Sequence, residues 1–270
     1  MIKMKIPVVD KEKKELSKKE LPKQFTEKVR EDLIYRAAMT VQANSRQPYG
    51  AYESAGMNVS AKLSRRRRDY KGSYGHGMAR TPRKSLSHRG IRFNYVGALA
   101  PNTRGGRRAH PPKAERNWNK KLNVKERRKA ICSALSATLN VETIKSRGHK
   151  IPKDFPFILS NDVESISKTR DLVKMLIALG FEEDLDRTAK KTIRAGKGKN
   201  RSRPYKVKKS ILFVVSKKCP LHKSASNISG VDIVTPDHLN ANILAPGTKP
   251  GRLTLYTEGA IDKIAEMFKY

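Results

Sequence analysis

Two short motifs contain residue types that could bind a metal ion or a phosphate group. Cys219 and His222 have the spacing of paired metal ligands, but a closed zinc site needs four ligands, and the sequence offers no second close Cys or His pair. The segment GKGKNRS, residues 196–202, contains Gly-Lys steps. It lacks the four residues between a glycine and a Gly-Lys-Ser/Thr that a phosphate-binding loop requires. We therefore predict no metal ion and no nucleotide cofactor.

Three histidines, His76, His88 and His110, could in principle act as general bases. No cysteine or serine nucleophile stands near them in a recognisable elbow, so covalent hydrolysis is not indicated. The acidic residues are few and lie mostly at expected helix starts or surfaces, which disfavours a two-metal nuclease. We predict that the protein is not an enzyme. The alternative, an RNA-processing enzyme, would show turnover that depends on a specific acid or histidine.

The excess of lysine and arginine over acidic residues indicates an anionic binding partner. The 270 residues include 59 Lys or Arg against 25 Asp or Glu, a formal net charge of +34. Such a protein binds polyanions, because each phosphate that it neutralises releases condensed counterions. The charge is concentrated in residues 45–121, where nineteen basic and three acidic residues leave +16. A second basic tract, Arg187–Lys209, contains no acid.

Aromatic residues and glycines are interleaved with the arginines of residues 45–121; the aromatic residues include Tyr70, Tyr74, Phe93, Tyr95 and Trp118. Arginine grips phosphate through paired hydrogen bonds, aromatic rings stack on unpaired bases, and glycine lets two backbones approach closely. The apolar residues of this segment form no face, so we predict an irregular loop that folds on a nucleic-acid partner. The alternative is a disordered segment that only solubilises, but this segment lies between two predicted helices and not at a terminus.

Outside this segment the hydrophobic pattern predicts helices that alternate with short buried strands. Apolar residues recur at four-residue spacing from Val29 to Val41, and Asn123 is expected to cap a helix with Glu126 three residues on. The expected helices are 26–44, 123–140, 162–179 and 258–268, and the expected strands are 157–160, 211–215, 231–235 and 253–256. This order is typical of an α/β fold with a mostly parallel sheet.

The same sequence gives expectations about the compartment. No apolar stretch approaches the roughly 20 residues that a membrane helix needs, and the N-terminus lacks the apolar region of a signal peptide. Cys132 and Cys219 are too few for a disulfide framework and are expected to be reduced structural thiols. We predict a soluble, cytoplasmic protein with no membrane partner.

Several segments, in order along nearly the whole chain, resemble the family of ribosomal protein L four of the large subunit in its archaeal and eukaryotic form. They are DLIYRAAMTVQANSRQPYG at 32–50, GSYGHGMARTPR at 72–83, RRAHPPKAER at 107–116, NVKERRKAICSALSAT at 123–138, SRGHKIP at 146–152, IRAGKGKNRSRPYKVKKSILFVVS at 193–216 and APGTKPGRLTLYTEGAI at 245–261. The number and order of these matches argue against a chance likeness.

The resemblance implies a Rossmann-like α/β body, residues 1–44 and 122–270, and an irregular extension, residues 45–121, that reaches through ribosomal RNA to the wall of the nascent-peptide exit tunnel. It implies a structural constituent of the large subunit that acts early in assembly, contacts neighbouring ribosomal proteins and meets the nascent polypeptide at the tunnel constriction. The tip of the extension would comprise Gly72, Tyr74, His76, Gly77, Met78 and Arg80. Two features depart from the family pattern: the run Arg65–Arg68 is unusually rich in arginine, and His76 stands where a more basic residue is common.

The expected RNA contacts are arginines and lysines that neutralise phosphates along a buried path. In residues 45–121 they are Arg46, Arg65, Arg66, Arg67, Arg68, Lys71, Arg80, Arg83, Lys84, Arg89, Arg92, Arg104, Arg107, Arg108 and Lys113, and in the second basic tract they are Arg194, Lys197, Lys199, Arg201, Arg203 and Lys206. The main alternative is a chromatin-type DNA-binding protein, which would share the charge. Such proteins usually present a helix, ribbon or basic tail to a duplex, whereas this segment is internal and rich in glycine.

Overall fold

The computed structural model describes residues 4–268, which divide into two compact units. We call the first unit the body; it comprises the residues up to Ser45 and those from Asn119 onward. We call the second unit, Arg46–Trp118, the extension. No helix within residues 4–268 is long and apolar enough to cross a membrane.

Short strands and helices follow one another along most of the chain. The strands are β1 (Lys5–Val9), β2 (Glu15–Glu20), β3 (Arg83–Arg89), β4 (Arg92–Gly97), β5 (Ile158–Leu159), β6 (Thr192–Ile193), β7 (Tyr205–Lys206), β8 (Leu212–Val214), β9 (Asp232–Val234) and β10 (Thr254–Tyr256). The helices are α1 (Glu31–Asn44), α2 (Val124–Ala137), α3 (Val141–Ser146), α4 (Thr169–Ala178), α5 (Glu182–Ala189), α6 (Leu221–Ser226), α7 (Ala241–Leu244) and α8 (Glu258–Met267).

The body contains two small three-stranded sheets. In the first, β1 pairs antiparallel with β2 and parallel with β5. In the second, β8 lies between β10 and β9, and all three strands are parallel. A parallel bridge between Leu159 and Thr257 joins the end of β5 to the residue after β10. The α/β class is therefore confirmed, but the body has two small sheets in place of one mostly parallel sheet. The first is mixed, because the N-terminal hairpin β1–β2, which the sequence pattern did not predict, adds an antiparallel pair.

Strand β8 divides the interior of the body into two hydrophobic cores. Leu212, Phe213 and Val214 are all fully buried, and successive side chains of a strand point to opposite faces. Leu212 and Val214 pack in the core that α1, α2 and α8 cover, whereas Phe213 packs in the core that contains Leu172 and Leu176 of α4. The uninterrupted apolar run was the signal that this strand is covered on both faces.

One helix around the first core, α1, begins later than the sequence pattern indicated, whereas α2 and α8 begin where it placed them. The predicted helix 26–44 begins at Glu31, because residues 23–25 form a turn of 3-10 helix and Arg30 is extended. Asn123 does precede α2, but its side chain makes no capping hydrogen bond. Glu126, expected to complete that cap, instead forms a 2.8 Å ion pair with Arg36 of α1.

The predicted helix 162–179 is divided in two. Residues Asn161–Ser165 form a 3-10 turn, Ile166 is extended, and α4 begins only at Thr169. The turn places the Glu164 carboxylate within 2.8 Å of both the Ser216 backbone N–H and the Thr257 hydroxyl, which donate to it. These contacts with residues far along the chain stabilise the 3-10 turn in place of a continuous helix.

Candidate nucleic-acid interface

The extension contains a β-hairpin, although the sequence pattern predicted an irregular loop throughout this segment. Strands β3 and β4 pair antiparallel, with Arg83 opposite Gly97 and Arg89 opposite Arg92. The turn between them contains Gly90 at a φ of +58°, the left-handed region that glycine adopts without strain. Arg89 and Arg92 are both exposed. Since like charges directly opposite each other destabilise a hairpin, this pair is better suited to a bound anion than to the free protein.

Aromatic rings line one face of this hairpin. The rings of His88 and Phe93, which are cross-strand partners, stack at 5.3 Å and 14°. Phe93 stacks in turn on Tyr95 at 5.3 Å and 13°, and the Tyr70 ring meets Phe93 edge-on at 5.2 Å. The Lys71 ammonium lies 5.7 Å from the Tyr70 centroid and 5.8 Å from that of Phe93. Phe93 therefore belongs to a face, contrary to the sequence-based expectation.

A tight loop presents the run of four arginines, Arg65–Arg68. It is closed where the Ser64 backbone N–H donates to the Lys71 carbonyl at 3.3 Å. The Asp69 carboxylate accepts from the Ser64 hydroxyl at 2.5 Å and from the Tyr70 backbone N–H at 2.8 Å. The Ser64 hydrogen bond is the main reason why the pKa of Asp69 lies below its ordinary value. The Asp69 carboxylate thus bonds within the loop, and the four arginines of the loop are exposed.

A groove of about 570 Å³ lies beside the hairpin, and we call it the hairpin groove. Its lining includes Tyr70, Lys71, His76, Met78, Phe93 and Tyr95. Gly72, His76 and Met78, three of the six residues assigned to the tip of the extension, therefore line this groove.

Tyr74 and Arg80 lie elsewhere in the same stretch of chain. Tyr74 is 41% exposed, and the Arg80 guanidinium lies 5.0 Å from the centroid of its ring. Gly77 adopts a φ of +65° with open space around the position that a Cβ would occupy. Gly72, His76 and Met78 thus line the groove, whereas Tyr74, Gly77 and Arg80 do not.

The outgoing and returning chains of the extension pass close to each other at glycines. A Cβ added to Gly50 would lie 2.5 Å from the Ala114 nitrogen, and one added to Gly56 would lie 2.7 Å from the Arg107 Cα. Next to the first contact, the Ala51 N–H donates to the Pro112 carbonyl at 2.8 Å. Only glycine permits backbones to pack at these separations.

Where its two chain ends meet, the extension is held by a cation–aromatic cluster. The Arg46 guanidinium lies 4.7 Å from the Trp118 ring and 5.0 Å from the Tyr49 ring, and the two rings are 4.8 Å apart. Arg116 approaches the same indole at 5.4 Å. Arg46, predicted as an RNA contact, therefore also has a structural role in this cluster.

The second basic tract forms a small hairpin on the body. Strands β6 and β7 pair antiparallel, and the Arg194 guanidinium donates to the carbonyls of Arg203 at 3.0 Å and Tyr205 at 3.2 Å. Arg194 thus closes the loop that it was predicted to place on RNA. The other predicted contacts of this tract are exposed: Lys197, Lys199, Arg201, Arg203 and Lys206.

A buried carboxylate holds the end of the second basic tract against α5. Asp184 is completely buried and accepts from the Ser210 hydroxyl at 2.5 Å and from Arg187 Nε at 2.9 Å, while His149 Nδ1 lies 3.4 Å away. Burial by itself would raise the pKa of Asp184, but its polar partners, which include the donors Arg187 and Ser210, outweigh it and hold the pKa far below its ordinary value. Arg187 also donates to the Lys209 carbonyl at 2.9 Å. Nothing in the sequence singled out this cluster.

Side chains of the protein itself fill the carboxyl ends of the parallel strands, where α/β sheets commonly bind ligands. Beyond β8 and β10, Glu164 accepts from the Ser216 hydroxyl and the Thr257 hydroxyl, both at 2.8 Å. At the start of α8 the Gly259 N–H donates to Asn161 Oδ1 at 3.0 Å, and a Cβ on Gly259 would lie 3.0 Å from that of Ser216. A carboxylate and a side-chain amide of the chain itself thus accept the hydrogen bonds of these donors.

The cysteines are packed as structural residues. Cys132 is completely buried in α2, and burial raises the pKa of its thiol to about 11. Cys219 Sγ lies 3.8 Å from His222 Nδ1, but residues 4–268 contain no group of three or more His, Cys, Asp or Glu side chains arranged to hold a metal ion. Two protein ligands alone do not make a closed zinc site.

The predicted RNA-contacting cations are mostly open to solvent. Four of the 21 are half-buried, namely Arg83, Lys84, Arg107 and Arg194, and the others are exposed. Within residues 4–268 none of the 21 forms a salt bridge with a carboxylate. Their charge is therefore left for an external anion.

The profile of the Ribosomal protein L4/L1 family matches residues 19–267, which include the aromatic hairpin, both basic stretches and most of the body. The chain belongs to the ribosomal protein L4/L1 family. It is 42% identical to the large ribosomal subunit protein uL4 of Nanoarchaeum equitans over 97% of this chain and 98% of that protein. It is likewise 42% identical to the proteins of that name from Archaeoglobus fulgidus and Halobacterium salinarum over 92% of this chain.

Membership of the L4/L1 family makes the chain a ribosomal protein with a structural and not a catalytic role. The sequence-based identification of the family and the prediction that the chain is not an enzyme are both confirmed. All 21 predicted RNA contacts lie within the residues that the family profile matches.

Three features of this L4/L1 protein were missed from the sequence. They are the part that His88 takes in the aromatic stack, the Asp184 cluster and the Glu164 contacts. The alternation of Phe93 and Tyr95 along β4 was a signal for the stack, whereas the two carboxylate clusters join residues that are far apart in the chain.

Proposed function

We propose that this ribosomal protein is a structural constituent of the large subunit that binds ribosomal RNA through its extension and its second basic tract. The observation that carries the proposal is the set of cations without carboxylate partners, placed among exposed aromatic rings and close glycine contacts. Arginine and lysine in this state gain most by neutralising phosphate, and the aromatic rings add contacts to unpaired bases. The names of the archaeal relatives, which are large-subunit proteins, support the same assignment.

The RNA contacts follow from two kinds of surface. The Arg65–Arg68 loop and the Arg89–Arg92 pair offer fork-shaped donors that match phosphate oxygens. The exposed lysines and arginines of the β6–β7 hairpin offer a second patch, on the body. With six to ten phosphates neutralised, affinity should fall roughly 10³- to 10⁵-fold between about 50 and 200 mM salt.

The extension would bring its tip to the wall of the nascent-peptide exit tunnel. Tyr74 and Arg80 are the tip residues best suited to face a nascent polypeptide, because they are exposed and do not line the hairpin groove. Gly72, His76 and Met78 line that groove and are better placed to meet RNA. An extension that joins RNA segments in this way would act early in subunit assembly.

The body would contribute the remaining contacts of a cytoplasmic ribosomal protein. We assign it a Rossmann-like arrangement, supported by the parallel strands β10, β8 and β9 and by the parallel bridge that joins them to β5. Its surfaces would receive neighbouring ribosomal proteins. The filled carboxyl ends of β8 and β10 favour a body that serves as a scaffold and not as a cofactor-binding domain.

Sedimentation of a cell lysate through sucrose tests this function. In low salt with magnesium, the chain should co-sediment with the large subunit in stoichiometric amount, and a buried extension should keep it there when the run is repeated in high salt. If the chain stayed at the top of the gradient, or travelled with DNA, the ribosomal function would be wrong. The chromatin-type alternative would then be favoured, and competition between RNA junctions and duplex DNA would test it.

A further inference from the structure

We infer that the hairpin groove receives one unpaired RNA nucleotide, whose base packs against the groove's aromatic rings and whose phosphate meets Lys71 and Arg92. The inference rests on the proposed function and narrows it, because binding of phosphates alone would not distinguish paired from unpaired RNA. It assigns the chain a base-binding site in addition to its contacts with the phosphate backbone.

The dimensions of the groove and of the ring stack define where a base can lie. A volume of about 570 Å³ falls within the roughly 300–1,000 Å³ typical of small-ligand sites. A base cannot enter between the stacked rings, because it would need about 3.5 Å on each of its two faces, whereas the ring centroids are only 5.3 Å apart. The base must therefore lie in the open groove, against Tyr70, Phe93 and Tyr95.

The groove also carries the charge that a nucleotide needs. Lys71 and Arg92 line it and are exposed, and Arg89 stands opposite Arg92 at the hairpin turn. The one carboxylate in the lining, Asp69, is already engaged by the Ser64 hydroxyl and the Tyr70 N–H, so it does not pair with Lys71. A phosphate attached to the bound base would find cations without carboxylate partners.

One polar atom beside the groove lacks a partner in the free chain. The Tyr95 hydroxyl is shielded from solvent and makes no hydrogen bond within residues 4–268. A buried polar group without a partner destabilises the state that contains it. A ring nitrogen or carbonyl oxygen of a base is an acceptor that this hydroxyl could use after a small movement of the ring.

Two other occupants fit the groove less well. The outside of an intact duplex presents phosphates and sugars, and its bases are already stacked on each other, so the aromatic rings would gain little from it. An apolar peptide segment would use the rings but would leave the neighbouring cations without anions. An unpaired nucleotide uses the rings and the cations together.

Fluorescence titration with an RNA hairpin that carries a single bulged 2-aminopurine tests the inference. The full-length chain should quench the probe on binding and should prefer this RNA to the same hairpin without the bulge. Phe93→Leu, which removes the central ring and keeps apolar volume, should weaken binding to the bulged RNA roughly 5- to 150-fold and leave binding to the paired RNA unchanged. Tyr70→Leu, outside the β-hairpin, should act in the same direction.

Leu86→Ala is the matched control, since Leu86 is 66% exposed on β3 and does not line the groove. It should leave both affinities unchanged. The inference is overturned if the full-length chain binds both RNAs equally, if the bulged base is not quenched, or if Phe93→Leu behaves like the control. Failure to bind either RNA would instead contradict the proposed function itself, so the two failures can be told apart.

Discussion

Asp184→Asn should destabilise the body strongly, because it removes a buried negative charge on which several donors converge. The carboxylate accepts from the Ser210 hydroxyl at 2.5 Å, Arg187 Nε at 2.9 Å and the Lys150 N–H at 3.1 Å. An asparagine has an NH2 group in place of one carboxylate oxygen, so at least one of these donors would face another donor. Arg187 would also lose its anionic partner. Breaking one side of a buried ion pair costs about 3–5 kcal/mol. Arg187 is 17% exposed and keeps the Lys209 carbonyl, so we expect about 3 kcal/mol.

Thermal unfolding followed by far-ultraviolet circular dichroism measures this loss. For a unit of roughly 200 residues, each kcal/mol lowers the Tm by about 2–4 °C, so Asp184→Asn should lower it by about 6–12 °C. Asp186→Asn makes the same change at an exposed position of the same helix and should alter the Tm by no more than about 2 °C. If the two variants shifted the Tm equally, the Asp184 cluster would not be the anchor that the geometry indicates.

The remaining predictions concern charge, backbone packing and pH. Replacing all of Arg65–Arg68 by alanine should reduce the slope of log affinity for RNA against log salt by up to about 3–4, and an unchanged slope would show that these side chains do not meet phosphates. Gly106→Ala places a Cβ 2.0 Å from the Ala100 carbonyl oxygen and should speed amide exchange in the extension while β8 stays protected; equal protection in the variant would refute the tight packing. Burial lowers the pKa of His149 in the folded chain, so the unfolded chain binds more protons below about pH 6.5 and stability falls on acidification. His149→Gln should lose less stability than the wild type between about pH 7 and 5, and an equal loss would contradict this account.

The body was largely predictable because its strands and helices bury continuous or periodic apolar faces. β8 could be predicted from its uninterrupted apolar run, which the structure places between two cores. The division of residues 161–178 into a 3-10 turn and α4 could not be predicted. The helical spacing of apolar residues continues through the turn, which is fixed by the contacts of Glu164 with Ser216 and Thr257. Local propensity does not record a partner that lies 52 or 93 residues away.

For the candidate interface, the class of partner was predictable from the sequence, but the arrangement of the side chains was not. Composition alone indicated a polyanionic partner, because 59 basic residues among 270 greatly exceed the acids. The β3–β4 hairpin was missed because its register shifts between Ser85 and Ser87, which interrupts the alternation of side chains. His88 joins the aromatic stack only through its cross-strand pairing with Phe93, and sequence spacing alone does not reveal such a pairing.

Ultraviolet crosslinking of purified large subunits, followed by mass spectrometry of the peptides joined to RNA, tests the central claim most directly. The account predicts that crosslinked peptides of this chain come mainly from residues 46–118 and 187–209, and that Tyr70 and Phe93 are among the linked residues. Crosslinks confined to other surfaces of the body, with none in residues 46–118, would contradict the claim that the extension is the RNA-binding part of the protein.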